Sequence, residues 1–563
     1  MNIFLPSCRH HFLLLFVVFG YLTGCSGVQT KSLYAETTTD TALDADYYEV
    51  DIRAHDGTLL KATVFQPQLA AGKTAPLIIH SHGFGGFRAD GPMSFYGQMI
   101  VSGEAAVAAW KAGYWVISYD HRGFGESEGK VKLMHPDYEV EDFSSVIDWA
   151  EDNLPKVTYE NDDIVVGGVG ESYGGGVQIL ASIKDPRIDA IVPITTWFDL
   201  NEIMAPKGHV KGAWGGILIS GGIFSSFFDF DMAFDDEYMD LISGKMNSQV
   251  AADLAIRSPS HYCQTGKAIQ SDALFIQGLR DTLMTFNQGY ENWRCATQAG
   301  KDAKLVAIQD GHILPWPMQS WSGLPIFNTQ ENVTCGEVTF NTVDMIVSWY
   351  DEKLRKQPRT LPAIPDLCVT FSDDEGKPMH DIAYGGLQVP VRETEVKLMQ
   401  SGWLEFLFEP AESLISTIAP VGAVKTAEEM DTQGGWLRPA FIPLKMAEES
   451  QDMAGIPLIS LQLSTTDSDK DGTVYVAIGI KEPGSPHIKV LGDQYTPLIG
   501  DGQYQMDLPA IAYQLKPGDV VGLVVQGFTA QYFLDPEGWF SFGTVSGSVQ
   551  LPLSSSVALA NHP

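Results

Sequence analysis

The stretch from Ile164 to Leu180, IVVGGVGESYGGGVQIL, limits what this chain can fold into more than any other. A β-branched apolar run leads into Gly170-Glu171-Ser172-Tyr173-Gly174, and small, helix-compatible residues follow. This pattern predicts a buried strand, a sharp turn with a serine at its tip, and a helix, the setting of a nucleophile elbow. Glycines on either side remove the Cβ atoms that would collide where strand and helix pass. The helix N-terminus points its positive end at the place where negative charge would develop on a reacting carbonyl oxygen. G-x-S-x-G also occurs in ordinary glycine-rich loops, so the motif needs partners elsewhere in the chain.

The chain around it alternates between two periodicities. Tyr47 to Ala54 and Thr58 to Phe65 read as a hairpin turned at His55-Asp56-Gly57. Pro76 to His80, Tyr114 to Tyr119, Ala190 to Ile194, Ala273 to Gln277 and Lys304 to Ile308 are short apolar runs, and a helical pattern covers Tyr138 to Asn153. Strands separated by helices imply a mostly parallel sheet covered on both faces.

A serine hydroxyl is a weak nucleophile that needs a base, and the base needs an orienting carboxylate. Asp281 follows the strand Ala273 to Gln277, within Gly278-Leu279-Arg280-Asp281, and His312 follows the strand Lys304 to Ile308, within Gln309-Asp310-Gly311-His312. The order Ser172, Asp281, His312, each just past a strand, is the chain order of an α/β catalytic triad. Taken singly, Asp281 also reads as a helix cap and His312 as a loop histidine. The main-chain N–H groups of Tyr173 and Phe84 are the candidate oxyanion donors.

These segments together resemble the X-Pro dipeptidyl-peptidase and cocaine-esterase family. The resemblance rests on His82-Gly83, on D-H-R-G-F-G-E-S at 120–127, G-E-S-Y-G at 170–174, G-L-R-D at 278–281 and D-G-H at 310–312. It implies an α/β-hydrolase fold and a Ser–Asp–His enzyme acting on ester or amide bonds, with no cofactor. Some family members place a tyrosine hydroxyl just after the third strand; here Phe84 stands there, leaving only a backbone N–H. Arg122 and Ser127 are expected to organise their loop rather than react.

Residues 196–262 interrupt the alternation and read as a helical cap over the site, with Trp197, Trp214 and an acidic stretch from Asp229 through Asp240. Its Phe224, Phe227, Phe228 and Phe230 could line an acyl pocket, while Asp229, Asp231, Asp235, Asp236 and Glu237 could face a substrate ammonium or simply solvent. The expected preference is for acyl esters or amides over free-amino X-Pro peptides. After Pro365 short alternating runs take over, among them Trp403 to Phe408, Ile456 to Leu463, Thr473 to Ile480 and Val520 to Val525. Turns at Glu482-Pro483-Gly484 and Lys516-Pro517-Gly518-Asp519 separate many of them. An all-β domain of sandwich or jelly-roll type is expected. Asp467 to Gly472 matches the first half of a calcium loop, but Ile478 occupies its twelfth position, so a plain acidic turn is expected and no metal site.

The N-terminus reads as a targeting segment. Arg9 precedes the apolar run Phe12 to Tyr21, and Leu22-Thr23-Gly24-Cys25 is similar to a bacterial lipobox, with Cys25 as the lipidated residue. The expected organisation is a signal peptide at 1–24, a tether at 25–45, the catalytic domain at 46–365 and the β domain at 366–563. Cys263, Cys295, Cys335 and Cys368 remain as two suspected disulfides in an exported chain. Of three possible pairings the nearest-neighbour one is expected, with buried free thiols the alternative. The net charge of −34 argues against nucleic acid as a partner. The expected partners are a small ester, amide or peptide substrate and, through Cys25, a membrane; the expected location is the outer membrane, facing the periplasm. An aminopeptidase of the X-Pro type, an acyltransferase with the same triad and a non-catalytic envelope binding protein are the alternatives.

Overall fold

The computed structural model describes residues 41–225, 244, 246–312, 331–371, 377–379, 382, 386–397, 429–431, 440–465, 473–485, 487–526, 529–532 and 542–553. Cys25, the acidic cap stretch, Trp403 to Phe408 and Asp467 to Gly472 lie outside these residues.

The first architecture is a ten-stranded sheet. Its strands are β1 (Asp46–Arg53), β2 (Leu59–Gln66), β3 (Leu77–Ser81), β4 (Trp115–Tyr119), β5 (Val166–Glu171), β6 (Ile188–Ile194), β7 (Asp272–Gly278), β8 (Ala303–Ile308), β9 (Leu367–Val369) and β10 (Lys377–Met379), in the spatial order 1-2-4-3-5-6-7-8-9-10. From β4 to β9 every pairing is parallel, and antiparallel strands close both edges. The parallel strands are apolar on both sides because both sides are covered. Ile79 and Ile117 face one apolar cluster with α3 (Glu139–Asn153), α4 (Tyr173–Lys184) and α9 (Phe286–Gln298); Ile78 and Val116 face the other with α1 (Phe95–Met99), α2 (Val101–Lys111) and α10 (Thr342–Lys353). The sheet takes its last two strands from beyond residue 365, where the texture of the sequence changes. Three residues, Leu367, Cys368 and Val369, are too short a run to show periodicity, and their pairing with β8 decides their place.

Between β6 and β7 the described residues form α5 (Leu200–Met204), α6 (Gly212–Ser225), α7 (Ser248–Ala255) and α8 (Pro259–Gln264). Cys263 is bonded to Cys295, joining α8 to α9, and Cys335 to Cys368, joining a short hairpin to β9.

Beyond β10 the described residues form strands joined by turns, with 3-10 turns at Leu491–Asp493 and Ala530–Tyr532. One sheet pairs Leu387–Lys397, Phe542–Leu551, Leu458–Thr465 and Gly502–Asp507; the other runs through Glu429–Asp431, His487–Val490, Thr473–Lys481, Val520–Gln526 and Ala440–Met446, with Thr496–Ile499 beside Thr473–Lys481. Ile459, Leu461 and Leu463 of the first meet Val476, Ile478 and Val521 of the second in one apolar core, the arrangement of a sandwich. It abuts the sheet-and-helix part through polar contacts, among them Gln494 Nε2 donating to Leu279 O (2.9 Å) and Asn287 Nδ2 to Leu508 O (3.0 Å).

Candidate active site

Ser172 directly follows β5 and precedes the first residue of α4 with φ 52° and ψ −114°, a left-handed backbone that a non-glycine residue adopts at a cost. The surroundings over-determine it. Its N–H donates to Ile194 O (2.8 Å), and its carbonyl accepts from Gly176 N–H (3.0 Å) and from Thr196 Oγ1 (2.8 Å). Close approach explains Gly174: a Cβ there would stand 2.0 Å from Ser81 O. The helix can therefore start directly against the end of β3, with the Tyr173 N–H among the free amides of its first turn.

The loop after β3 comes to the same place. Ser81 pairs with Gly170, so the strand register carries Gly83 alongside Ser172. Gly83 O accepts from Gly86 N–H (3.0 Å), closing a turn that contains Phe84. His82 Nδ1 donates to the same carbonyl (2.7 Å), while its Nε2 accepts from His121 N–H (3.0 Å), which fixes the tautomer. Burial holds both His82 and His121 below the ordinary imidazole pKa, so both rings are neutral. The Phe84 ring packs edge-on against those of Tyr173 and Phe124.

Asp281 and His312 leave neighbouring strands and meet. His312 Nδ1–H donates to Asp281 Oδ2 (2.6 Å), and both side chains are buried. Asp281 Oδ1 accepts from the N–H groups of Leu283 (3.0 Å) and Met284 (2.6 Å). The carboxylate thus also caps its own loop; the helix that follows, α9, begins only at Phe286. The two loops touch because of Gly311, where a Cβ would lie 2.7 Å from Asp281 Cβ. Ser172, Asp281 and His312 all sit at the carboxyl edge of the same parallel sheet, after β5, β7 and β8.

The DHRGFGES segment is a scaffold. Arg122 is bidentate to Asp142 (2.7 and 2.5 Å) and reaches Asp56 (2.8 Å); Ser127 Oγ donates to Asp120 O (2.7 Å). Asp120 in turn accepts from Arg88 Nη1 (2.5 Å).

Several groups at the site escaped the reading of the sequence. Glu171 and Glu139 are fully buried carboxyls, each pushed up to about 7 by burial. Glu139 accepts from the Tyr173 hydroxyl (3.1 Å) and from the N–H of His135 (3.0 Å) and Lys132 (2.5 Å). Lys211 is buried in the cap and donates to the carbonyls of Thr282 and Leu283 (both 2.9 Å), just past Asp281; burial lowers it to about 8. Trp214 Nε1 donates to Thr282 Oγ1 (3.0 Å), and its ring meets that of His312 edge-on. The signal for Lys211 was a single cation in the glycine-rich apolar stretch His209 to Leu218. Among the described residues no group of three or more His, Cys, Asp or Glu side chains could hold a metal ion, and no helix is long and apolar enough to cross a membrane.

Known proteins share part of this sequence and the fold. The sequence profile of the X-Pro dipeptidyl-peptidase (S15 family) matches residues 56–218. An uncharacterized 31.7 kDa protein of Escherichia coli, from the traX-finO intergenic region, is 38% identical over 117 residues, 21% of this chain and 36% of that protein. The match therefore spans about a third of that relative's length. An aminopeptidase from a marine sediment Thaumarchaeota archaeon superposes with a TM-score of 0.60 at 16% identity, covering 93% of this chain and 99% of that one. An α-amino acid ester hydrolase does so with a TM-score of 0.59 at 14% identity, over 93% and 98%. These similarities extend over both the sheet and the C-terminal β sandwich.

Proposed function

We propose that this chain is a serine hydrolase of the X-Pro dipeptidyl-peptidase and cocaine-esterase family that cleaves ester or amide bonds through an acyl-enzyme, a reading supported by the profile match over residues 56–218. His312 takes the proton of Ser172 Oγ as the oxygen attacks the carbonyl carbon. Asp281 keeps the imidazole in the tautomer with hydrogen on Nδ1 and stabilises the imidazolium that forms. The N–H groups of Tyr173 and Phe84 receive the oxyanion, each such donor contributing roughly 10²–10³ in rate. Collapse of the tetrahedral intermediate returns the proton from His312 to the leaving oxygen or nitrogen, and water repeats the sequence to free Ser172. The observation that carries this reading is the buried 2.6 Å bond from His312 Nδ1 to Asp281 Oδ2, two strands along the same sheet edge from a strained serine elbow.

Treatment of the full chain with a fluorophosphonate, followed by mass spectrometry, is expected to place one adduct on Ser172 and none in Ser172→Ala. An adduct on another serine, or none on the wild type, overturns the reading. Substrate class is tested by paired kinetics on a butyrate ester, a Gly-Pro anilide and its N-acetyl form. We propose that the free amine is not preferred; far faster cleavage of the unblocked anilide would establish the aminopeptidase alternative, the activity that gives one structural neighbour its name. We further propose anchoring through lipid on Cys25, so that Cys25→Ser is released from membranes by a high-salt wash.

A further inference from the structure

Glu171 immediately precedes Ser172, and side chains of successive strand residues point to opposite sides. It therefore turns beneath the loop that follows β3. It is fully buried, and among the described residues no lysine or arginine pairs with it. Three donors converge on it instead. Gly83 N–H donates to Oε1 (2.8 Å), the Ser102 hydroxyl to Oε2, and the Tyr96 hydroxyl to the same carboxylate. The Tyr96 oxygen also accepts from Gly83 N–H (3.2 Å), so this one amide is gripped from two sides.

Proton accounting along the rest of the network agrees with an ionised Glu171. Ser102 gives its hydrogen to Glu171, so its oxygen accepts from His80 Nε2–H (3.0 Å). His80 Nδ1 is then bare and accepts from the Ser118 hydroxyl (2.7 Å), whose oxygen accepts from Ala89 N–H (2.8 Å). From Ser102 to Ala89 each of these hydrogens has one acceptor. A proton on Glu171 would reverse the chain and leave the Ser118 hydrogen to find another partner.

Gly83 matters because of what its peptide does. Its N–H is held by Glu171 and Tyr96, and its C=O by His82 Nδ1–H and Gly86 N–H. The Gly83–Phe84 peptide is planar and trans, so fixing that C=O aims the Phe84 N–H in the opposite direction. We infer that Glu171 is a positioning residue for the reaction: its carboxylate clamps the Gly83 amide and thereby aims the Phe84 N–H at the oxyanion. The inference rests on the serine-hydrolase reading above and names a residue that reading does not use.

The test compares Glu171→Leu, which removes the acceptor, with Glu171→Gln, which keeps one carbonyl oxygen at the same reach. With a p-nitrophenyl ester, Glu171→Leu is expected to lower kcat by roughly 10–100-fold, a fraction of the loss when an oxyanion donor is removed outright. KM should stay within about twofold, because the interaction operates in the transition state. Glu171→Gln should recover most of the lost kcat. If Glu171→Leu does not fold, Tyr96→Phe removes the second grip on Gly83 together with one donor to Glu171, and a several-fold fall in kcat at unchanged KM is expected. Overturning results are a kcat for Glu171→Leu within twofold of wild type, a loss confined to KM, no recovery in Glu171→Gln, or an unchanged kcat in Tyr96→Phe where that variant stands in. Fluorophosphonate labelling of Ser172 in the wild type separates the two levels. Without it the hydrolase reading falls and takes this inference with it; with it, those results remove the role of Glu171 alone.

Discussion

The nucleophile side of the site is held from within one body of structure, whereas the aspartate–histidine side is braced by two later parts of the chain. Around Ser172 and Phe84 the supports come from the sheet and its own helices, namely Glu171, Tyr96, Ser102, His82 and, through the Tyr173 hydroxyl, Glu139; Thr196, the residue at which the cap leaves the sheet, adds one bond to the Ser172 carbonyl. Around Asp281 the loop carbonyls are taken by Lys211 of the cap, Thr282 by Trp214, and Leu279 O by Gln494 of the β sandwich. Arg280 pairs with Asp493 of the sandwich (2.8 Å). The geometry of the nucleophile thus depends on one core, while that of the base depends on three parts being docked.

The largest effects should ignore this difference, because both sides meet in one reaction. Ser172→Ala and His312→Ala are each expected to lower kcat by about 10⁴–10⁶. The double variant should be no worse than either, since residues acting as a unit lose their function once. Measured additivity would mean that Ser172 and His312 do not share a step, and the two halves would no longer be halves of one site.

An intermediate effect should separate them. Lys211→Met keeps the length of the side chain but removes two donors from the Asp281 loop, and about a tenfold fall in kcat is expected from a loosened His312. Gln494→Ala removes one brace from the sandwich side, with an expected loss of about threefold. Combined with each other, these two should be non-additive because they hold one loop; Lys211→Met combined with Tyr96→Phe should be additive because the sites share no partner. Steady-state kinetics on the three singles and the two doubles measures this, and coupling between Lys211 and Tyr96 would break the division.

The contrast between the two sides also accounts for what was legible in the sequence. The elbow was visible because a β-branched run, a glycine-flanked serine and a helix leave few alternatives, and Asp281 and His312 stood out by following apolar runs of strand length. The pairing of those two was read from chain order alone; its distance was not legible, since 31 residues separate them and the sheet order is what places β7 beside β8. Glu171 stood in plain view within the motif, yet alternation tells only which way it points, not that Tyr96 and Ser102 wait there. Lys211 and Gln494 were hidden for a different reason. Their partners are main-chain carbonyls, and a carbonyl has no letter in a sequence. The same holds for β9, whose three residues belong to the sheet by pairing alone.

The last expected effect concerns stability rather than rate, and it assigns opposite pH slopes to the two sides. On the nucleophile side burial raises Glu171 and Glu139 from the usual carboxyl value to about 7. Between pH ~4.5 and ~7 the folded chain then binds more protons than the unfolded one, so these groups make stability fall as pH rises through that window. On the other side burial lowers Lys211 from 10.5 to about 8. Between pH ~8 and ~10.5 the folded chain binds fewer protons than the unfolded one, so this group makes stability rise with pH there. Each contribution amounts to a few kcal/mol at most, since a tenfold change in proton affinity corresponds to about 1.4 kcal/mol. Urea unfolding at pH 5, 7.5 and 10 is expected to show Glu171→Gln with a shallower decline on the acid side and an unaltered alkaline slope. Lys211→Met should show the reverse. If both substitutions flattened the same limb, the two sides would be titrating as one coupled cluster, and the separation drawn from their hydrogen bonds would be wrong.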